Sequence, residues 1–128
     1  MNILPSLFVS HGAPTFALEP GLAGPRLRAL GEALPRPRAI LIISPHWMTR
    51  DLRITGNAAP ETIHDFGGFA PALYRLQYPA AGHPTLASEL ADLLTEAGWP
   101  ASLDLQRGLD HGAWVPLLHL YPQADIPV

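Results

Sequence analysis

Two nearly continuous apolar runs, LFVS at 7–10 and AILIIS at 39–44, constrain the fold more than any other feature of this sequence. Runs of this kind are typical of strands that are buried on both faces of a parallel sheet. The segment between them predicts a helix, because Gly24 and Pro25 suit a helix start, leucines repeat at helical spacing, and Pro35 ends the pattern. A strand, a helix and a strand in this order predict a right-handed βαβ unit.

The rest of the chain continues the alternation of strands and helices. The predicted segments are a strand at 52–55, a long loop at 57–82, a helix from Pro84 to Gly98, a strand at 102–105, a turn at 108–114, a short helix at 115–121 and the opening of a strand at 124–128. The fold class we expect is α/β, with an open, mostly parallel sheet and flanking helices. Because a last strand without a neighbour leaves the sheet unfinished, we expect residues 1–128 to be the N-terminal portion of a single, incomplete domain.

Composition excludes several classes of function. The net charge is −3 and the longest basic cluster is the pair Arg36 and Arg38, so the phosphate-neutralising surface of a nucleic-acid-binding protein is missing. The chain has no cysteine, which leaves histidine and carboxylate as the strong metal ligands. No apolar run reaches the roughly 20 residues of a membrane helix, and no secretory signal is recognisable, so we expect a cytoplasmic protein. Only 15% of residues are charged, which leaves an oligomer open.

Two of the six histidines follow the predicted strands, His11 after the first run and His46 after the second. Ligands of open α/β sheets gather at the carboxyl ends of the strands. Neighbouring strands lie about 4.8 Å apart, so two imidazoles at their ends can share one ion at about 2.1 Å per bond. Ser10 and Ser44 favour defined turns at these ends. We predict a divalent metal site at His11 and His46; the alternative is that each histidine only caps a strand or bonds a loop carbonyl.

Two further histidines are candidates for chemistry. His111 stands beside Asp110 and can act as a general acid or base near neutral pH, unless Asp110 is only a helix cap and His111 is incidental. His64 lies in the long loop among aromatic residues and glycines, which suits a wall over a ring-shaped ligand, or it is an ordinary polar loop residue. His83 and His119 are predicted to be structural.

Four ordered motifs resemble those of one known family. They are SHGAP at 10–14, SPHW at 44–47, HDFGGF at 64–69 and LDHGAWVPL at 109–117. In this order they are similar to the 4,5-DOPA extradiol dioxygenases, which belong to the class III ring-opening dioxygenases related to the catalytic subunit of protocatechuate 4,5-dioxygenase. The resemblance spans nearly the whole chain.

The resemblance implies a non-haem enzyme that opens catechol-type rings with dioxygen and uses a divalent metal, Fe(II) or Zn. It implies His11 and His46 as metal ligands, His111 as the residue that handles the protons of the catechol, and His64 as part of the substrate pocket. The remaining ligands of the family would lie beyond Val128, so the 128-residue chain alone is expected to be inactive. An interaction module on the same scaffold and a metal-dependent hydrolase remain open as alternatives.

Overall fold

Five helices and two short strands form the regular structure of residues 3–128, the part of the chain that the computed structural model describes. In chain order they are a 3-10 helix at Pro14–Ala17, α1 at Ala23–Ala33, β1 at Leu52–Thr55, α2 at Pro71–Tyr74, α3 at Pro84–Glu96, β2 at Ala101–Asp104 and α4 at His111–Leu120. Among these residues no helix is both long and apolar enough to cross a bilayer.

The sheet consists of β1 and β2, which pair in parallel with Leu52 opposite Ala101 and Thr55 opposite Asp104. Helix α3 lies between them in the chain and packs against both strands. His83 caps α3, because its Nδ1 accepts a hydrogen bond from the backbone N–H of Leu86 at 3.1 Å. The predicted α/β class, the strands at 52–55 and 102–105, and the helix that starts at Pro84 are confirmed, with β2 displaced by one residue.

The predicted strands at 7–10 and 39–44 are wrong for the described residues. Both segments carry no strand assignment, and Phe8 and Ile43 are exposed rather than buried, at 105% and 91% of full accessibility. A strand requires a series of backbone hydrogen bonds to a neighbouring strand. The second run makes one backbone hydrogen bond to another segment, from the N–H of Ile40 to the carbonyl of Pro127 at 2.8 Å. The helix predicted between the runs is confirmed as α1, which packs against α4 instead of completing a βαβ unit.

Two other predicted elements also differ. Residues 124–128 carry no strand assignment, although Ile126 is buried. The predicted loop at 57–82 contains the short helix α2. Residues 111–114 of the turn predicted at 108–114 instead form the start of α4, four residues earlier than 115. Residues 111–117 of α4 are all buried. A helix that is buried on every side lacks the polar face by which a surface helix is recognised in a sequence, so the pattern did not reveal this part of α4.

The core forms around α4. Trp114 and Val115 are fully buried there, and Leu73 and Tyr78 from the long loop pack on them. The indole N–H of Trp114 donates to the carbonyl of Ile63 at 2.9 Å, which satisfies the one polar group of this side chain. This packing fixes the first turn of α4, where His111 lies.

Candidate metal centre

Three histidines from distant parts of the chain meet at one place. His11 follows the first apolar run, His46 follows the second, and His111 is the first residue of α4. The ring centroids are 4.8 Å apart for His11 and His46, 4.1 Å for His46 and His111, and 5.3 Å for His11 and His111. One nitrogen from each ring falls within a group no wider than 4.8 Å, which can hold a metal ion.

The spacing of His11 and His46 fits a shared ion. Their Nε2 atoms are 3.2 Å apart. Two ligands bonded at about 2.1 Å to one tetrahedral ion lie about 3.4 Å from each other. His111 adds a third nitrogen, and the three ligand atoms all lie within 4.8 Å of one another. A set of imidazole nitrogens without thiolate suits Zn or Fe(II), so these residues fit the divalent ion that the sequence predicts.

A buried carboxylate holds the turn that carries His46. The hydroxyl of Ser44 accepts a hydrogen bond from the backbone N–H of His46 at 3.2 Å and donates to Oδ1 of Asp110 at 2.5 Å. The other oxygen of Asp110 accepts a hydrogen bond from Arg107 at 2.9 Å, and the Asp110 side chain is only 4% exposed. The guanidinium of Arg107 lies 5.2 Å from the ring of Trp47. His46 is therefore tied to the start of α4 through Ser44 and Asp110.

A serine hydroxyl, that of Ser10, also supports the turn that carries His11. This hydroxyl accepts a hydrogen bond from the N–H of Gly12 at 3.2 Å, across the histidine. Gly12 has a φ of 61°, in the left-handed region that glycine adopts without strain. The defined turns that Ser10 and Ser44 predict are both present.

Helix α4 approaches the His46 turn closely at Gly112. A Cβ at this position would overlap the hydroxyl of Ser44 and lie 2.9 Å from Cδ2 of His46. The absence of a side chain at Gly112 is what allows His111 and His46 to be neighbours.

Asp65, from the long loop at 57–82, contacts His111. Its Oδ1 accepts a hydrogen bond from the backbone N–H of His111 at 2.9 Å and lies 2.9 Å from Nδ1 of the same residue, where the ring N–H is poorly aligned. Burial raises the pKa of Asp65, but the contacts with His111 outweigh it and hold the pKa below its usual value. Asp110 is the N-cap residue of α4, and its carbonyl accepts hydrogen bonds from the N–H groups of Ala113 and Trp114, but its side chain makes no capping hydrogen bond because Ser44 and Arg107 occupy it.

His64 lies outside the group of three histidines. Its Nε2 is 2.8 Å from the carbonyl of Leu76, and its ring centroid lies 5.7 Å from that of Trp114. The aromatic side chain that reaches the site is Phe66, whose ring centroid is 5.6 Å from that of His111 at 87°. Sequence reasoning missed Phe66, although it stands two residues from His64 in HDFGGF. His119 is structural as predicted, because its Nε2 lies 2.8 Å from the carbonyl of Phe16.

The fold and the site together define a class, namely α/β proteins with a group of three histidines, without thiolate, that could hold a metal ion. Within that class, residues 22–128 match the family described as the catalytic LigB subunit of aromatic ring-opening dioxygenase, and the chain belongs to this family. The family resemblance that the four motifs carry is thereby confirmed.

Comparisons with individual proteins agree. The chain is 48% identical over 126 residues to the 4,5-DOPA dioxygenase extradiol of Escherichia coli (strain K12), which covers 98% of this chain and 46% of that protein. It is 43% identical to the protein of the same name from Beta vulgaris, over 99% of this chain and 49% of that protein. The crystal structure of the uncharacterized protein JW3007 from Escherichia coli K12 superposes with a TM-score of 0.62 and 42% identity, over 84% of this chain and 38% of that one. The chain spans about half the length of the curated relatives it matches.

Proposed function

We propose that the protein, at its full natural length, is a metal-dependent extradiol dioxygenase that opens a catechol-type ring beside its diol. Both atoms of dioxygen enter the ring-opened product. The observation that carries the proposal is the meeting of His11, His46 and His111 in a chain of the LigB family.

His11 and His46 would hold the metal through their Nε2 atoms, whose separation of 3.2 Å supports the assignment. Fe(II) or Zn is the proposed ion, and when bound it supplies a Lewis acid with open positions for the diol and, in the case of Fe(II), for dioxygen. The chain's part is to orient the two imidazoles, which it does through the turns at Ser10 and Ser44.

His111 is proposed as the acid/base residue. Its side chain is 7% exposed, and its ring lies beside that of His46, so a substrate hydroxyl at the metal position would be within its reach. An imidazole titrates near neutral pH, which suits removal and return of a hydroxyl proton. Phe66 stands edge-on to His111 and would limit the position of the substrate ring.

His64 remains a proposed residue of the substrate pocket. The support for this role is indirect. The ring of His64 lies 6.0 Å from that of Phe66, centroid to centroid, and its Nε2 contacts the carbonyl of Leu76. In this arrangement His64 would fix the aromatic wall, and Phe66 would touch the substrate. A cytoplasmic location belongs to the same proposal, and fractionation of cells that express the protein tests it.

The test is oxygen uptake by the full-length protein loaded with Fe(II), with L-DOPA and other catechols as substrates. We expect uptake with formation of a yellow ring-opened product, and its loss in the His11→Ala, His46→Ala and His111→Ala variants. The His83→Asn variant is the matched control, because His83 lies outside the group of three histidines and asparagine keeps a cap on α3. Metal binding without uptake on any catechol would refute the proposal, and oxygen-independent ester hydrolysis would favour the hydrolase alternative.

A further inference from the structure

One carboxylate oxygen makes two contacts with His111. Oδ1 of Asp65 lies 2.9 Å from the backbone nitrogen of His111 and 2.9 Å from its Nδ1, although 46 positions separate the two residues in the sequence. The side chain of Asp65 is 26% exposed, whereas that of His111 is 7% exposed. The backbone hydrogen bond therefore joins the start of α4 to a partly exposed loop, and the same carboxylate oxygen lies beside the buried ring.

The contact with Asp65 affects which ring nitrogen of His111 carries the proton. A neutral imidazole carries one proton, and a carboxylate beside Nδ1 stabilises the tautomer in which Nδ1 carries it. Nε2 then keeps its lone pair. The remaining ring neighbours of His111 are His11, His46 and Phe66, which are imidazoles and a phenyl ring without a carboxylate. Asp65 is thus the acidic group among these contacts that selects the tautomer.

We propose that Asp65 is a positioning residue, which holds His111 in the Nδ1–H tautomer and so presents Nε2 as the base toward the substrate hydroxyl. The proposal rests on the proposed role of His111 and goes beyond it by naming the group that sets its proton. Asp65 touches neither the substrate nor the metal position in this account. It acts through His111 alone.

Asp65→Asn separates this role from simple support of α4. The amide oxygen of asparagine still accepts the hydrogen bond from the His111 backbone N–H, so the start of the helix stays satisfied. The charge is lost, however, so the asparagine side chain stabilises the Nδ1–H tautomer less than the carboxylate does, and the Nε2–H form becomes more populated. In serine proteases the corresponding Asp-to-Asn change leaves the geometry intact and lowers turnover about 10⁴-fold through the wrong tautomer.

The first experiment reads the tautomer directly. The protein is labelled with ¹⁵N-histidine, kept metal-free above the usual histidine pKa of about 6.5, and His111 is assigned by the signals lost in His111→Gln. We expect a protonated Nδ1 and an unprotonated Nε2 in the wild type, and a shift toward the Nε2–H form in Asp65→Asn. Asp92→Asn, an exposed change on α3, should leave the His111 signals unchanged. An unchanged tautomer in a folded Asp65→Asn variant would overturn the proposal.

The second experiment measures catalysis by the Fe(II)-loaded, full-length protein. Asp65→Asn should lower kcat at least about 100-fold with KM for the catechol within about twofold and with unchanged metal content, as expected for loss of a general base. Asp65→Glu should restore part of kcat, and it also replaces Asp65→Asn if that variant fails to fold. Equal loss in Asp65→Asn and Asp65→Glu without a tautomer shift would mean a purely structural role. A wild type without oxygenase activity would refute the proposed function, while the tautomer measurement would still decide the role of Asp65.

Discussion

Substitution of Gly112 by alanine should damage the metal centre, although it improves the local helix propensity. In an exposed helix interior this change stabilises by about 1 kcal/mol. Here the new Cβ would overlap the hydroxyl of Ser44 and lie 2.9 Å from the ring of His46 and 3.1 Å from Oδ1 of Asp110. Relief needs a movement of roughly 1 Å, and overpacking of this kind typically costs about 1–3 kcal/mol.

We therefore expect Gly112→Ala to lower the free energy of unfolding by about 1–2 kcal/mol, a change of opposite sign to the propensity effect. The displaced turn would carry His46 away from His11. Loss of a supporting contact at a metal ligand commonly weakens metal binding about 10- to 100-fold, and we expect the zinc affinity to fall by that factor.

Urea denaturation and zinc titration of the purified chain measure the two effects. Gly67→Ala is the matched control, because a Cβ at Gly67 meets nothing within 4 Å and should change neither quantity by much. Addition of Ser44→Ala to Gly112→Ala removes the overlapping hydroxyl, so the two changes should be non-additive in stability. A Gly112→Ala variant that is more stable than the wild type and binds zinc equally well would show that the close approach at Gly112 does not position His46.

Two further predictions concern stability. Burial, with a contribution from Asp125, raises the pKa of Tyr78 to about 12. Between pH about 10 and 12 the folded state therefore keeps the hydroxyl proton, whereas the unfolded chain loses it. The free energy of unfolding should fall across this range by up to about 3 kcal/mol. Urea titrations across this range should show the fall in the wild type but not in Tyr78→Phe. Asp110→Ala should destabilise the fold by about 2–4 kcal/mol, because it leaves Arg107 and Ser44 without their buried acceptor. In urea denaturation, Ser44→Ala should lower the free energy of unfolding by less than Asp110→Ala does. Equal stability of Asp110→Ala and wild type would contradict the prediction.

The elements that the sequence predicts well are those with local signals. Leucines at helical spacing, with proline and glycine at the ends, predict α1 and α3 without knowledge of what they pack against. The start of α4 was missed because Gly112 resembles a turn residue, and because the group that binds its first N–H is Asp65, distant in sequence. No local pattern reveals such a partner.

The two apolar runs show a different limit of local reasoning. Their composition predicts burial in a sheet, but a ladder requires neighbouring strands, and the described residues supply one backbone contact to Ile40. The histidines that follow the runs nevertheless converge, because the turns at Ser10 and Ser44 position them without a ladder. Phe66 was overlooked because one aromatic residue in a loop carries no signal of which ring it will face.

The claim that His11 and His46 hold one divalent ion is tested most directly by X-ray absorption spectroscopy of the zinc-loaded chain, combined with zinc titration of its variants. We expect one equivalent of zinc with imidazole nitrogens at about 2.0–2.1 Å, and an affinity at least about 100-fold weaker in both His11→Ala and His46→Ala, with His83→Asn unchanged. Zinc bound without imidazole ligands, or bound equally well after either alanine substitution, would contradict it.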